Sequence, residues 1–158
     1  MTKDQKRIFT ERITSSNRTE IIAVLFDIFD VYVSDAEKAF ELNEYDSFKK
    51  SVKAAEEVIV HLKNDLDFKY EIAGNLYELY DYCLRCLSSA VYRFSVSDLS
   101  DVKKVMSELG EAFSELAKAD DSKPIMQNAE KIVYGMTYGK NDINETAVAA
   151  GSSRGFLA

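Results

Sequence analysis

The sequence predicts an all-α protein, an antiparallel four-helix bundle with a short additional C-terminal helix and a flexible tail. Apolar residues recur at alternating steps of three and four along four stretches of about 20 residues each. A single proline and six glycines interrupt the 158 residues, which leaves long segments free of helix breakers. Amphipathic helices joined by short links pack most simply as an antiparallel bundle.

The first helix is predicted to begin near Arg18, because Asn17 and Glu20 have the spacing of a capping box just before an apolar run. Its apolar arc is wider than the stripe of a typical surface helix. The main stripe contains Ile21, Ile22, Leu25, Ile28, Phe29, Tyr32, Ala36, Ala39 and Phe40, and its flanks contain Val24, Phe26, Val31 and Val33.

Three further stripes predict helices two to four, and a shorter fifth helix is predicted to follow Pro124. We therefore predict an N-terminal arm over residues 1–16, a helical bundle over 17–138 and a mobile C-terminal tail over 139–158. The stripes are centred on Val52, Ile59 and Leu62 in helix two, on Leu76, Cys83 and Leu87 in helix three, on Val102, Met106 and Phe113 in helix four, and on Ile125, Ala129, Ile132, Val133 and Met136 in helix five.

Charge and hydropathy disfavour two classes of partner. The net charge of −7 repels the phosphate backbone of nucleic acids and anionic lipid surfaces. No apolar run approaches the roughly 20 residues that span a bilayer, so membrane insertion is not expected. The polar N-terminus and the two cysteines together favour a cytoplasmic protein.

Both cysteines occur in one Cys-x-x-Cys pair, Cys83 and Cys86, which raises the possibility of a metal or redox site. A structural zinc site needs four cysteine or histidine ligands, and the chain has only one histidine, His61, to add. A redox pair would lie at the start of a helix, whereas this pair lies inside a predicted one. We therefore predict that Cys83 is a core residue and Cys86 a border residue, with no cofactor, no metal and no enzymatic activity.

The third helix also has an apolar flank, formed by Tyr77, Leu84 and Val91. Two explanations for such flanks are open at this point. Helix five and the N-terminal arm, with Ile8, Phe9 and Ile13, could cover them. Alternatively, they form a groove that takes an amphipathic segment of a partner.

Two segments resemble the flagellin-specific secretion chaperones of the FliS type. The stretch "TSSNRTEIIAVLFDIF" is similar to the capped first helix of that family, and "AAEEVIVHLKNDLDFKYEIAGNLYELYDYCLRCL" is similar to its central region. The resemblance covers about Ile13 to Ala119. The matching positions are Leu25, Phe26, Asp27, Leu62, Leu66, Asp67, Asn75, Leu76, Leu79, Tyr80, Asp81 and Tyr82.

The resemblance implies a cytoplasmic bundle that binds the C-terminal segment of new flagellin in hydrophobic grooves. Such a protein would prevent premature polymerisation and present flagellin to components of the export apparatus. It also implies that the N-terminal arm, with Ile8, Phe9 and Ile13, acts as a lid over part of a groove. The residues predicted to bind the partner are Ile22, Phe26 and Val33 on helix one and Tyr77, Leu84 and Val91 on helix three.

Two features depart from the family pattern. Phe9 stands where a tyrosine is expected, and residues 124–158 extend beyond the compact family pattern. This extension could be a lid acting in cis, a second docking peptide or a disordered tail, of which we favour the last. The extension keeps open an alternative function, in which a bundle of the same fold binds another secretion or motility protein, or itself as a homodimer.

Overall fold

The computed structural model describes residues 1–126, and helices are the only regular secondary structure in this part of the chain. It contains five helices: α1 (Lys3–Thr14), α2 (Arg18–Glu41), α3 (Tyr45–Asn64), α4 (Ile72–Arg93) and α5 (Ser97–Ala119). No strand occurs within residues 1–126, so the prediction of an all-α helical bundle is confirmed. Residues 120–126 are not helical, and the rest of the predicted fifth helix, like the tail over 139–158, lies outside the described residues.

The start of α2 follows the predicted capping box. The side-chain oxygen of Asn17 accepts a hydrogen bond from the Glu20 N–H, and the Glu20 carboxylate accepts one from the Asn17 N–H, both at 2.8 Å. These bonds satisfy two backbone donors that a helix terminus otherwise leaves unpaired. A second capping box, from Thr2 and Gln5, starts α1, which lies within the predicted N-terminal arm.

Helices α2, α3, α4 and α5 form a closed ring of neighbours, and α1 packs against α2 outside that ring. Contacts between α2 and α5 join Phe26 to Phe113 at one end and Glu37 to Lys103 at the other. As residue numbers rise along α2 from 26 to 37, the contacting residue numbers on α5 fall from 113 to 103. The two helices therefore run in opposite directions. Helix α2 therefore has neighbours on several sides, which accounts for its wide apolar arc.

Phe26 and Val33 were expected at the partner-binding surface, and the structure corrects this expectation. They are only 3% and 1% exposed and belong to the main core. Helix α5 covers Phe26, whose ring stacks on Phe113 with 5.5 Å between ring centroids. At Gly110 a Cβ atom would lie 3.2 Å from the Cβ of Phe26, so the missing side chain allows α5 to approach closely.

The two cysteines lie as predicted, with Cys83 fully buried and Cys86 partly exposed, and both are free thiols. Burial raises the pKa of the Cys83 thiol to about 11, so this group stays protonated and unreactive near neutral pH. Among residues 1–126, no three or more histidine, cysteine, aspartate or glutamate side chains gather where they could hold a metal ion. Within the same range no helix is long and apolar enough to cross a membrane.

Candidate partner-binding surface

A cavity of about 360 Å³ opens at the end of the bundle where α3 connects to α4, and we call it the loop-end groove. It lies where the start of α2, the end of α3, the connecting loop 65–71 and the start of α4 meet α5. Most of its lining is apolar, with three charged residues. The lining residues are Arg18, Ile22, Leu62, Asp65, Leu66, Asp67, Tyr70, Ile72, Ala73, Leu76, Tyr80 and Phe113.

Two large apolar side chains line the groove while remaining open to solvent. Tyr70 is 68% exposed and Ile72 is 62% exposed. The backbone holds this part of the loop in a tight turn, since the Tyr70 N–H donates to the Asp67 carbonyl at 3.1 Å and the Ala73 N–H donates to the Tyr70 carbonyl at 3.0 Å. An apolar cluster that a soluble domain leaves exposed is typical of a protein-binding surface.

The floor of the groove is buried and neutral. Leu62, Leu76 and Tyr80 are buried members of the core, so a bound side chain would meet packed apolar atoms rather than water. Burial raises the pKa of Tyr80 to about 12, because a phenolate would lose its hydration there. Tyr80 therefore stays uncharged at physiological pH and contributes mainly its ring surface.

The charged residues of the groove are of both signs. Arg18 extends from the first turn of α2, and Asp65 and Asp67 follow the end of α3, all of them exposed. Charges at the edge of an apolar site favour one orientation of a charged partner more than they raise its affinity. The groove can therefore hold an amphipathic segment and select its direction.

A second apolar surface, the α3–α4 seam, is formed by Tyr77, Leu84 and Val91 along one stripe of α4. The same stripe carries Asp81 and Ser88, and both hydrogen-bond to side chains of α3, so the stripe faces that helix. Leu84 and Val91 are half-buried and pack against the core, whereas Tyr77 is exposed. These three predicted residues thus lie together, outside the loop-end groove.

Tyr77 connects the seam to the loop. Its ring centroid lies 5.9 Å from that of Phe68, an exposed residue of the loop. The Lys63 ammonium lies 4.0 Å from the same ring centroid and also binds the carboxylate of Asp81. Phe68 of the loop therefore contacts the seam, and Tyr70 of the same loop lines the groove. The two surfaces are neighbours.

Of the six predicted partner-binding residues, Ile22 lines the loop-end groove. Tyr70 and Ile72 were missed, although the sequence contains a signal for them. Connecting segments of soluble proteins lie at the surface and are usually polar, yet this one places Phe68, Tyr70 and Ile72 at every second position of "DFKYEI".

The predicted lid residues lie on α1, away from the loop-end groove. Ile8 is exposed and Phe9 and Ile13 are partly buried, and none of the three lines the groove. The Arg12 guanidinium pairs with the Asp27 carboxylate at 2.7 Å and lies 5.7 Å from the centroid of the Phe9 ring. Helix α1 is thus fastened to α2 along a different surface.

After α5 the chain folds back onto the junction between α1 and α2, and we call residues 120–125 the C-terminal strap. The side-chain amide of Asn17 donates to the backbone carbonyl of Asp120 at 3.0 Å. Five residues further on, the Ile125 N–H donates to the Ser16 carbonyl at 3.2 Å. Asn17 and Ser16 are both buried, so the strap covers the polar groups of this junction.

The carboxylate of Asp120 also holds the strap. It accepts a hydrogen bond from the Thr19 hydroxyl at 2.5 Å and another from the Ser122 N–H at 3.0 Å. These bonds, first that of Thr19 and then those of Ser122, lower the pKa of Asp120 because they favour its ionised form.

A family profile described as "Flagellar protein FliS" matches residues 1–120, which includes all five helices. A search of curated proteins finds no match. FliS proteins are flagellar export chaperones rather than enzymes. Because the profile spans most of the chain, this protein belongs to the FliS family.

Proposed function

We propose that the protein is a cytoplasmic export chaperone that binds the C-terminal segment of flagellin. It would keep flagellin from polymerising prematurely and present it to components of the export apparatus. The family supports the general role, and the loop-end groove with its exposed Tyr70 and Ile72 is the observation that supports a binding site.

The groove suits an amphipathic helix that places its apolar face against Ile22, Tyr70 and Ile72. Complete burial of Tyr70 and Ile72 by a client would contribute about 1–2 kcal/mol each to the free energy of binding, because both side chains are about two-thirds exposed in the free chain. Ordering a client segment costs about 2–5 kcal/mol, so two anchors are not sufficient for tight binding. We infer that the client also covers the neighbouring α3–α4 seam, at Tyr77, Leu84 and Val91.

Helix α1 would act as a lid over a further surface on α2, separate from the loop-end groove and the α3–α4 seam. Val24 of α2 is buried and lines a cavity together with Arg12, so it would lose cover if α1 moved away. The Arg12–Asp27 ion pair that fastens α1 has both partners about half exposed. A pair of this kind stabilises by at most about 1 kcal/mol, so it would not by itself hold α1 in place. The N-terminal ammonium just before α1 also pairs with the Asp35 carboxylate of α2, and a client would have to replace this contact as well. In this proposal Ile8, Phe9 and Ile13 leave α2 when the client binds.

Isothermal titration calorimetry with a synthetic flagellin C-terminal peptide tests the function. The full chain is expected to bind, and Ile72→Ser is expected to weaken binding about tenfold by removing one anchor. Leu116→Ser is the matched control, because Leu116 is 58% exposed and lies outside the groove. No heat and no complex in size exclusion would contradict flagellin binding. A dimer formed by the protein alone, lost in the Ile72→Ser variant, would instead favour self-association.

A further inference from the structure

We infer that residues 127–158 of this chain dock in cis into the loop-end groove through an apolar segment that contains Ile132 and Val133. The docked segment would occupy the groove until a client displaces it. The docking itself is independent of the function proposed above, whereas its effect on client affinity rests on that function.

The C-terminal strap supplies the first reason, because it fixes where the segment begins. Ile125 is hydrogen-bonded to Ser16, immediately before α2. Arg18 and Ile22, which line the groove, lie in the first two turns of the same helix. Ile132 follows Ile125 by seven residues, and seven residues span up to about 23 Å when extended. The segment therefore starts beside the groove and is long enough to enter it.

The sequence of the segment supplies the second reason. Ile132, Val133 and Met136 follow one another at steps of one and three, which is the spacing of apolar anchors on one face of a helix. A helix with such a face fits an apolar groove. The family match ends at residue 120, so this amphipathic stretch lies in a part of the chain that the family profile does not cover.

Charge complementarity supplies the third reason. Glu130 and Lys131 directly precede Ile132, and the edge of the groove presents Arg18 of one sign and Asp65 and Asp67 of the other. A segment seated with Lys131 near the aspartates and Glu130 near the arginine would pair charges rather than oppose them.

Tethering makes even weak docking effective. A short flexible link gives an effective concentration on the order of 1 mM at a neighbouring site. If the free segment had a dissociation constant of about 100 μM, the groove would be filled about nine-tenths of the time. Client affinity would then be lowered about tenfold relative to an open groove.

Hydrogen–deuterium exchange of the full chain, without a client, tests the docking. The variant Ile132→Asp with Val133→Asp is expected to raise the exchange of amides in residues 66–73 about tenfold. The matched control, Ile143→Asp with Val148→Asp, makes the same two residue changes further along the tail and should leave this exchange unchanged.

Equal exchange in the parent chain and the Ile132→Asp, Val133→Asp variant would overturn the inference, as would an equal increase in the control. Protection that disappears on dilution would also overturn it, since the groove would then be covered by a second copy. With the flagellin peptide, the same variant is expected to bind about tenfold more tightly than the parent. A peptide that binds neither the parent chain nor the variant would refute the proposed function. The hydrogen–deuterium exchange result alone would then show whether the C-terminal segment docks in the groove.

Discussion

Two successive turns of α2 differ in what covers them. Ile22 and Phe26 lie four residues apart on the same side of the helix, yet Ile22 lines an open groove while Phe26 is almost completely buried. The difference comes from α5, where Gly110 lets the backbone approach Phe26 and Phe113 stacks on its ring. Whether an apolar side chain of α2 lies in the core or in the groove therefore depends on which neighbouring helix covers it, and not on its position on α2 alone.

The connecting loops explain why the groove lies at this end of the bundle. Three residues, 42–44, join α2 to α3, and three, 94–96, join α4 to α5. Seven residues, 65–71, join α3 to α4, and this longer loop places Phe68 and Tyr70 at the surface. The short links let the helices close on each other, whereas the longer loop leaves an apolar recess between the helix ends.

The largest expected effect is a loss of stability where α5 buries Phe26 of α2. Phe26→Ala should lower the free energy of unfolding by about 3–5 kcal/mol, because it leaves a cavity beneath α5. Ile72→Ala, in the open groove, should change it by less than about 0.5 kcal/mol. Urea unfolding followed by circular dichroism measures both values. Similar losses for the two variants would refute the distinction between core and groove.

A smaller loss of stability is expected when a side chain is added at Gly110, where α5 contacts Phe26. Gly110→Leu should destabilise by about 1–3 kcal/mol, because its side chain has to enter the space occupied by Phe26. Gly74→Ala is the opposite case, since a Cβ at Gly74 meets no atom within 4 Å. It should stabilise by about 0.5–1 kcal/mol through helix propensity. Thermal unfolding of the two variants would show shifts of opposite sign, and a stabilised Gly110→Leu would contradict the close packing.

In the loop-end groove, a substitution is expected to change the affinity for the peptide without changing the stability of the fold. Tyr70→Ala should weaken the binding of a flagellin C-terminal peptide about fivefold to tenfold, because it removes an exposed ring from the groove. Tyr92→Ala is the matched control, since Tyr92 is 91% exposed and lies outside the groove. Fluorescence anisotropy of a labelled peptide measures both affinities. Equal losses in the two variants would place the binding site elsewhere.

The smallest effect is expected from pH, at the C-terminal strap. The hydrogen bond from Thr19 lowers the pKa of Asp120, so the folded strap is favoured while this carboxyl is ionised. This contribution is fully present above the unfolded pKa of about 3.9 and is lost as the pH falls through the lower folded pKa. The exchange of the Ile125 amide, corrected for its intrinsic pH dependence, should be constant from pH 7 to 5 and increase only below about 4. Thr19→Val should make that increase smaller, because it brings the folded pKa of Asp120 closer to the unfolded one, and a transition near neutral pH would contradict the role of Asp120.

Periodicity and capping chemistry were sufficient to predict the bundle. The start of α2 followed from Asn17 and Glu20, and the burial of Cys83 followed from its place on the apolar stripe. Periodicity was not sufficient to separate Ile22 from Phe26, because both are apolar residues on one side of α2 and only the approach of α5 distinguishes them. The exposure of Ile72 depends on the path of the loop, which helix periodicity does not describe.

Site-specific photo-crosslinking tests the central claim, that the open end of the bundle is the client site. A benzoyl-phenylalanine placed at Ile72 lies in the groove, and one placed at Leu116 lies at the surface outside it, with similar exposure of the two parent residues. With a flagellin C-terminal peptide, position 72 is expected to crosslink strongly and position 116 weakly, and excess unlabelled peptide should compete with the reaction at position 72. Equal crosslinking at the two positions, or strong crosslinking at position 116 alone, would contradict the assignment of the loop-end groove.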